Sequence, residues 1–311
     1  MKSQASIQTL VRVNLIQNVK DLQMLCISVK EFLCWEKKQL LKGGDKQSLY
    51  FLLETKAGIS SKDINLLRIN LDGNLFLDEN LVLIESIWDN HLSKHAPIQY
   101  LCGFTYWRNL KLKISDQVLI PRSETELIVD IIQGKFQDYE KLVFADLGTG
   151  SGAIGIALAL ANPKWEGYAT DIDKNALDIA SKNFNNFSDQ ANLKFLSGHW
   201  WNPLEDLKGE LDFVISNPPY IPLETYEGLP KEVKNFEPKI ALLGGVDGLD
   251  NIREIIQKAP FYLKEKGWLI LENHFDQGSK LSELFIENMF TSVEVLKDYS
   301  GIGRFTIGRY K

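Results

Sequence analysis

The sequence predicts an α/β protein: a doubly wound, mostly parallel sheet with an antiparallel hairpin at its C-terminal end, preceded by a small helical domain. Three observations predict it. From about residue 117, strand-like and helix-like runs alternate. A glycine-rich loop, DLGTGSGAIG, joins the first of those strands to the first of those helices. Before residue 95, apolar residues instead recur at three- and four-residue spacing.

Each element follows in order. LYFLLETKAG and NLVLIESIWDNHLSKH carry the helical spacing, and SSKDINLLRIN between them opens with Ser60 three residues before Asp63, a capping-box pattern. Residues 1–95 are therefore expected as a helical domain. Over 96–116, APIQYLCGFTYWRNLKLKISD holds short alternating runs broken at Gly103, Asn109 and Asp116, which predicts a β-hairpin linker. The catalytic-looking part is expected over 117–311. There LVFADLG, GYATDID, LKFLSG, LDFVIS and GWLILEN read as buried strands. SGAIGIALALAN, KNALDIASKNF and KLSELFIENMF read as helices. SVEVLKDYSGIGRFTIGRY reads as strand, glycine turn, strand, an antiparallel hairpin at the sheet edge.

Bulk properties narrow the class. The chain has 311 residues, enough for two domains, and is 44% hydrophobic and 24% charged, as globular proteins are. No apolar run approaches the roughly 18 residues that read as a membrane span. The opening MKSQASIQTLVRVNL lacks an apolar stretch followed by a small-residue cleavage site, so a cytoplasmic location is expected. Cys26, Cys34 and Cys102 are scattered, which suggests neither a disulfide framework nor a zinc site. His91 and His95 have ligand spacing, but few acidic residues lie near, so they read as the polar end of a helix and no metal is expected. A net charge of −6 argues against a protein that grips nucleic acid through phosphates.

Chemistry concentrates in two loops. In Asp146–Gly155, the residues Gly148, Gly150 and Gly152 let the backbone approach a ligand closely. Asp171 ends the following strand, where a carboxylate can accept both hydroxyls of a ribose. Gly150, Gly152 and Gly155 also satisfy G-x-G-x-x-G, so this loop specifies a nucleoside and leaves NAD and S-adenosylmethionine both open.

The second loop is FVISNPPYIP, Phe213–Pro222. Pro218 forces Asn217 into extended geometry, and Pro218 and Pro219 stiffen the chain while leaving their carbonyls free to accept. The Asn217 side-chain oxygen and the Pro218 carbonyl are then held at a set separation, matched to both hydrogens of one NH₂ group. Tyr220 offers a flat face to a planar group. A conjugated amine is a poor nucleophile, and two fixed acceptors can aim its lone pair at a methyl donor. Hydride transfer has no use for this motif, which favours a methyltransferase.

These motifs, with APIQYLCG, VLIPRSETELIV, EPKIALLGGVDGL and DYSGIGRFTIGRY in the same order, resemble the protein-(glutamine-N5) methyltransferases of the HemK/PrmC type over most of the chain beyond residue 95. The resemblance implies a class I S-adenosylmethionine-dependent methyltransferase fold and an N-terminal domain for substrate recognition. It implies methyl transfer to the Gly-Gly-Gln glutamine of class I peptide chain release factors, in support of translation termination. Asn217, Pro218, Pro219 and Tyr220 would hold that glutamine. Gly148, Thr149, Gly150, Ser151, Gly152, Asp171, Trp200 and Asn217 would hold S-adenosylmethionine. A monomer without stable nucleic-acid or membrane binding is expected.

Other matched residues have simpler readings. Ser123 and Glu126 form S-x-x-E and predict a capping box without catalysis; Glu124 could approach the cofactor but is not assigned to it. Arg122 and Arg304 read equally as ion-pair residues. Gly244, Gly245 and Gly248 read as a turn before a helix. His199, Ser123, His274 and Phe275 depart from the family pattern. The alternative activity is a DNA or RNA amino-methyltransferase acting on adenine N6 or cytosine N4, because the same acceptor pair suits those amines. A non-catalytic module would have no reason to keep both loops.

Overall fold

A computed structural model describes residues 25–187 and 191–311. The helical expectation for residues 1–24, and the reading of the opening segment, lie outside the described residues. The chain separates into two compact units between Trp88 and Asp89.

The first unit is built on α1 (Val29–Lys42), α2 (Lys46–Leu52), α3 (Ser61–Leu67) and most of α4 (Leu81–Lys94), with a π-helical turn over Leu53–Ala57. Phe32, Leu49, Leu52, Leu53, Ile64, Ile84 and Trp88 are buried there. The Ser60 hydroxyl caps α3 and Asp63 returns the bond, as the spacing predicts. The unit is not wholly helical: β1 (Leu25–Ser28) pairs antiparallel with β2 (Asn74–Leu77). Two four-residue strands nearly fifty residues apart leave no local hairpin signal, which is why helical spacing alone missed them.

The second unit opens with α5 (Ile98–Cys102) and the hairpin β3 (Phe104–Trp107) and β4 (Leu110–Lys113). The strands β5 (Val143–Leu147), β6 (Glu166–Asp171), β7 (Asn192–Ser197), β8 (Leu211–Ser216), β9 (Leu263–Glu272), β10 (Phe290–Lys297) and β11 (Gly303–Tyr310) form one sheet. Its order is β10-β11-β9-β8-β5-β6-β7. Strands β5 to β9 are parallel, and β11 runs antiparallel between β9 and β10. The expected C-terminal hairpin is therefore present. β7 is expected as a buried strand but lies at the sheet edge, where only Leu193 is buried.

Alternation along the strands builds two cores. Phe144, Phe213, Ile215 and Ile270 face α6 (Glu126–Phe136) and α7 (Ala153–Ala161). Ala145, Leu147, Val214, Leu269 and Leu271 face α11 (Asp250–Tyr262) and α12 (Gly278–Glu287). α7 is apolar all round, AIGIALALA, and is accordingly buried along most of its length. α8 (Lys174–Phe184) follows β6, and the short helices α9 (Leu223–Glu227) and α10 (Lys231–Lys234) follow the proline loop. No helix among the described residues is long and apolar enough to cross a membrane.

Chain order reverses between β5 and β8, which are neighbours in the sheet while the chain moves outward in opposite directions from them. The carboxyl ends of strands at such a reversal form a crevice. Leu147 pairs with Ser216 across it, and the Ser216 hydroxyl donates to the Leu147 carbonyl at 2.6 Å. The glycine loop and the Asn-Pro-Pro-Tyr loop, which begin at the next residues, are thereby set side by side.

Candidate active site

The two loops line one cleft. Gly148, Thr149, Gly150, Ser151, Asp171, Trp200, Asn217 and Pro219 all contribute to its wall, with Thr125, His199, Ile240 and Asn251. Gly152 lies behind it as the residue before α7, with φ +85°, where an added Cβ would strike Ile156 and Ala180. Pro218 is buried, and Pro218 and Tyr220 are outside the lining of this cleft.

The glycine loop is tied to the sheet by its own backbone. The N–H groups of Thr149, Gly150, Gly152 and Gly155 donate respectively to the Thr170 carbonyl, Asp171 Oδ2, the Thr149 carbonyl and Asp146 Oδ2. Those four donors are thus committed within the protein. Gly148 is required by a neighbour: a Cβ there would lie 3.0 Å from the Trp200 ring. Trp200 itself holds a left-handed backbone, φ +44°, rare for a bulky residue and met chiefly where surrounding structure enforces it.

The carboxylates of the cleft wall are Asp171 and Asp173, with Asp146 buried beneath the glycine loop. Asp146 is buried, and burial pushes its carboxyl up to about 6, aided by the nearby Asp171 and opposed by bonds from Thr149 and Gly155. Burial likewise raises Asp171, against bonds from the Asp173 and Gly150 N–H groups. Among the described residues, no Lys or Arg lines the cleft. A diphosphate would meet carboxylates and few free N–H donors, whereas a cationic sulfonium with a ribose suits this wall. The loop left the nucleoside open; its surroundings fit S-adenosylmethionine. Gly150 also leaves open space where a Cβ would stand.

The proline loop is clamped from two sides. Ile221 N–H donates to Leu242, Gly244 N–H to Ile221 and Leu223 N–H to Gly245. Asn251 Nδ2 reaches the Pro219 carbonyl at 3.3 Å, and Gln277 Nε2 reaches the Tyr220 carbonyl at 3.0 Å. The Gly244–Gly248 segment does precede α11, and it also serves as the buttress of Asn217–Tyr220.

Behind Asn217 runs a chain of hydrogen bonds that sequence reasoning missed. Asn217 Nδ2 donates to Thr125 Oγ1 at 3.3 Å, and Thr125 Oγ1 donates to Glu272 Oε2 at 2.7 Å. The Tyr220 hydroxyl donates to Glu272 Oε1 at 3.2 Å. Burial raises the Tyr220 hydroxyl, with the Glu272 charge adding to it. A charged residue closing the buried run GWLILE was the available signal for Glu272. Thr125 carried none, because S-x-x-E pointed to a capping box.

That capping box is absent. α6 starts at Glu126 with Thr125 before it, and no side chain caps it. Ser123 Oγ bonds Glu124 instead, and Glu126 Oε1 accepts from the Arg108 N–H. The Glu126 carboxylate that the box would need is occupied by the Arg108 N–H and so is turned toward the hairpin. Arg122 pairs with Glu237 and Arg304 with Asp298. His199 faces Glu254 at 3.4 Å, and His274 bonds Asp276 at 2.6 Å with its ring 6.2 Å from that of Tyr220. His91 Nδ1 bonds the Ala96 carbonyl and His95 faces Glu232. No group of three or more metal-ligating side chains occurs among the described residues.

Known proteins match this chain along most of its length. The family model described as Methyltransferase small domain matches residues 123–226. A protein named release factor glutamine methyltransferase from Prochlorococcus marinus is 39% identical over 282 residues, covering 89% of this chain and 96% of the relative. One of the same name from Synechocystis is 39% identical over 240 residues, covering 75% and 80%. Among solved structures, the hMettl16 catalytic domain in complex with MAT2A 3'UTR hairpin 6 aligns with a TM-score of 0.53 at 17% identity, covering 87% of this chain and 93% of that one. That likeness speaks to the fold alone.

Proposed function

This chain belongs to the release factor glutamine methyltransferase family, and from that premise we propose that it methylates the side-chain nitrogen of the Gly-Gly-Gln glutamine in class I release factors, with Asn217 and the Pro218 carbonyl orienting that nitrogen. It is an S-adenosylmethionine-dependent methyltransferase. The observation that carries the reading is the pairing of Leu147 with Ser216, which sets the glycine loop beside Asn217 in one acidic cleft.

Bound S-adenosylmethionine supplies an electrophilic methyl group on a cationic sulfur. Gly148, Thr149, Gly150, Ser151, Asp171 and Trp200 would hold it, with Gly152 shaping the loop from behind. Asn217 Oδ1 and the Pro218 carbonyl accept the two N–H bonds of the glutamine amide and draw its lone pair out of conjugation. The stiffness of Pro218–Pro219 fixes their separation before the substrate arrives, so little reorganisation is needed at the transition state. With S-adenosylmethionine bound, the sulfonium would give up its methyl group as a neutral thioether, and Asn217 and Pro218 would keep the amide nitrogen aimed at it. The nitrogen then sheds a proton to solvent, so no strong base is required. Among the described residues the cleft wall carries no Lys or Arg, which favours an amide over a nucleotide base carrying phosphates.

Asn217→Ala tests the assignment. S-adenosylmethionine affinity, measured by calorimetry, should be retained, while methyl transfer to a class I release factor should be nearly lost. Wild-type turnover by that variant would remove Asn217 from the reaction.

A further inference from the structure

An asparagine amide has two ends of nearly equal shape, and only the oxygen can accept a substrate N–H. Its function therefore depends on which end faces the cleft. A hydroxyl beside it does not settle this alone, because a hydroxyl both donates and accepts.

The surroundings of Asn217 remove that freedom. An ionised carboxylate only accepts, so the single proton of the Thr125 hydroxyl goes to Glu272 Oε2, 2.7 Å away. Only lone pairs remain on Thr125 Oγ1, and Asn217 can meet them only with its NH₂ group, as it does at 3.3 Å. The oxygen is then left for the other side. We propose that Thr125 and Glu272 are positioning residues that set the orientation of the Asn217 amide, turning its oxygen toward the methyl acceptor; this rests on the acceptor role given to Asn217 above.

Three features favour this over ordinary packing. Thr125 stands where a threonine usually caps a helix, a bond that typically contributes about 1 kcal/mol, yet its hydroxyl makes no cap. Both residues are buried, Thr125 at 4% and Glu272 at 2% exposure, and a buried carboxylate is costly to hold ionised. Glu272 also takes the Tyr220 hydroxyl on its second oxygen, so one carboxylate governs both ends of Asn217-Pro218-Pro219-Tyr220.

The arrangement makes activity depend on the charge of Glu272. The groups facing it are Thr125 and Glu124 at the head of α6, Tyr220 from the loop after β8, and Arg304 from β11. Burial, with the charge of Glu124, raises the carboxyl to about 7, while Thr125, Tyr220 and Arg304 oppose the rise. Once protonated, Glu272 can donate to Thr125, whose own proton then turns to Asn217 and draws the amide oxygen away from the cleft. Turnover should fall as pH drops through about 7.

The test compares Thr125→Val, Thr125→Ser, Glu272→Gln and Asn217→Ala in the full chain. It follows methyl transfer to a class I release factor across pH, with S-adenosylmethionine affinity measured separately. Thr125→Val should lose roughly 10- to 100-fold in kcat with cofactor affinity retained, and Thr125→Ser should restore it. Glu272→Gln, whose amide oxygen can still accept from Thr125, should lack the acid limb of the wild type. Wild-type kcat in Thr125→Val, with Asn217→Ala inactive, overturns this proposal alone. An unchanged acid limb in Glu272→Gln overturns it even where Thr125→Val does not fold. Normal turnover by Asn217→Ala overturns the reading beneath it, and this proposal with it.

Discussion

Replacing Gly244 by alanine puts a methyl group between the Gly244–Gly248 buttress and the acceptor loop that it supports. Gly244 has no positive φ, so the substitution brings no backbone strain and the effect is one of contact only. The new Cβ would lie 2.5 Å from the Gly248 carbonyl oxygen and 2.7 Å from that of Pro219, where ordinary contact begins at 3.4 Å. Relief requires about 0.7–0.9 Å of separation, the differences 3.4 − 2.7 and 3.4 − 2.5. Both obstacles are backbone, and Pro218–Pro219 cannot bend locally, so the shift passes to Asn217. A displacement near 1 Å at a reacting group can lower turnover by about 100-fold, or roughly 2.7 kcal/mol in the barrier. The assay is single-turnover methyl transfer to a class I release factor, with thermal unfolding and S-adenosylmethionine binding as controls. Cofactor binding should persist, because within Gly148–Gly152 the Gly150 N–H is held by Asp171 and the Thr149 hydroxyl by Asp146 instead. Gly134→Ala in α6, whose Cβ meets nothing within 4 Å, is the matched control and should leave turnover alone. A folded Gly244→Ala enzyme with wild-type turnover would refute the buttress.

Three further outcomes are expected. Asp171→Ala removes the acceptor of the Gly150 and Asp173 N–H groups; with about 1.5–3 kcal/mol at stake for bonds to a charged group, calorimetry should show S-adenosylmethionine binding weakened by roughly 10- to 150-fold, and unchanged affinity would contradict the role. Phe213 is fully buried and stacks on Phe144 at 5.2 Å and Phe136 at 4.8 Å, so Phe213→Ala should cost about 3–5 kcal/mol in urea unfolding; a loss under about 1 kcal/mol would mean this core is not where stability resides. Asp146 and Glu272 are raised to about 6 and about 7, so the folded state holds their protons more tightly than the unfolded chain. Their contribution to stability is fully present below the ordinary carboxylate pKa and is lost as pH rises through about 6 to 7. For Glu272, the rise from 4.5 to about 7 amounts to an upper bound of about 3 kcal/mol, and Glu272→Gln should gain on the wild type by an increasing margin as pH rises over that range. A margin independent of pH would contradict the shift.

What could be read from the sequence was mostly local. The run LVFADLGTGSG predicted β5 and its loop because apolar strand, glycines and apolar helix follow one another directly. SNPPY disclosed its stiffness because proline geometry does not depend on context. The pairing of β1 with β2 was hidden by nearly fifty intervening residues, and the exposure of β7 by its place at the sheet edge. The bond from Thr125 to Glu272 spans 147 positions. S-x-x-E at Ser123 pointed to a cap, because the local pattern cannot show that the Arg108 N–H, 18 positions away, reaches Glu126. The glycines of Gly244–Gly248 announced a turn; only the folded chain shows which loop that turn supports.

Methyl transfer in this cleft should end on a glutamine amide. The direct measurement is to incubate the purified protein with S-adenosylmethionine bearing a labelled methyl group. A class I release factor, its Gly-Gly-Gln glutamine-to-alanine variant, and single-stranded and duplex DNA and RNA are offered separately. The label should appear on the wild-type factor alone, and peptide mass spectrometry should place it on that glutamine. Label on nucleic acid, with none on the release factor, would contradict the account.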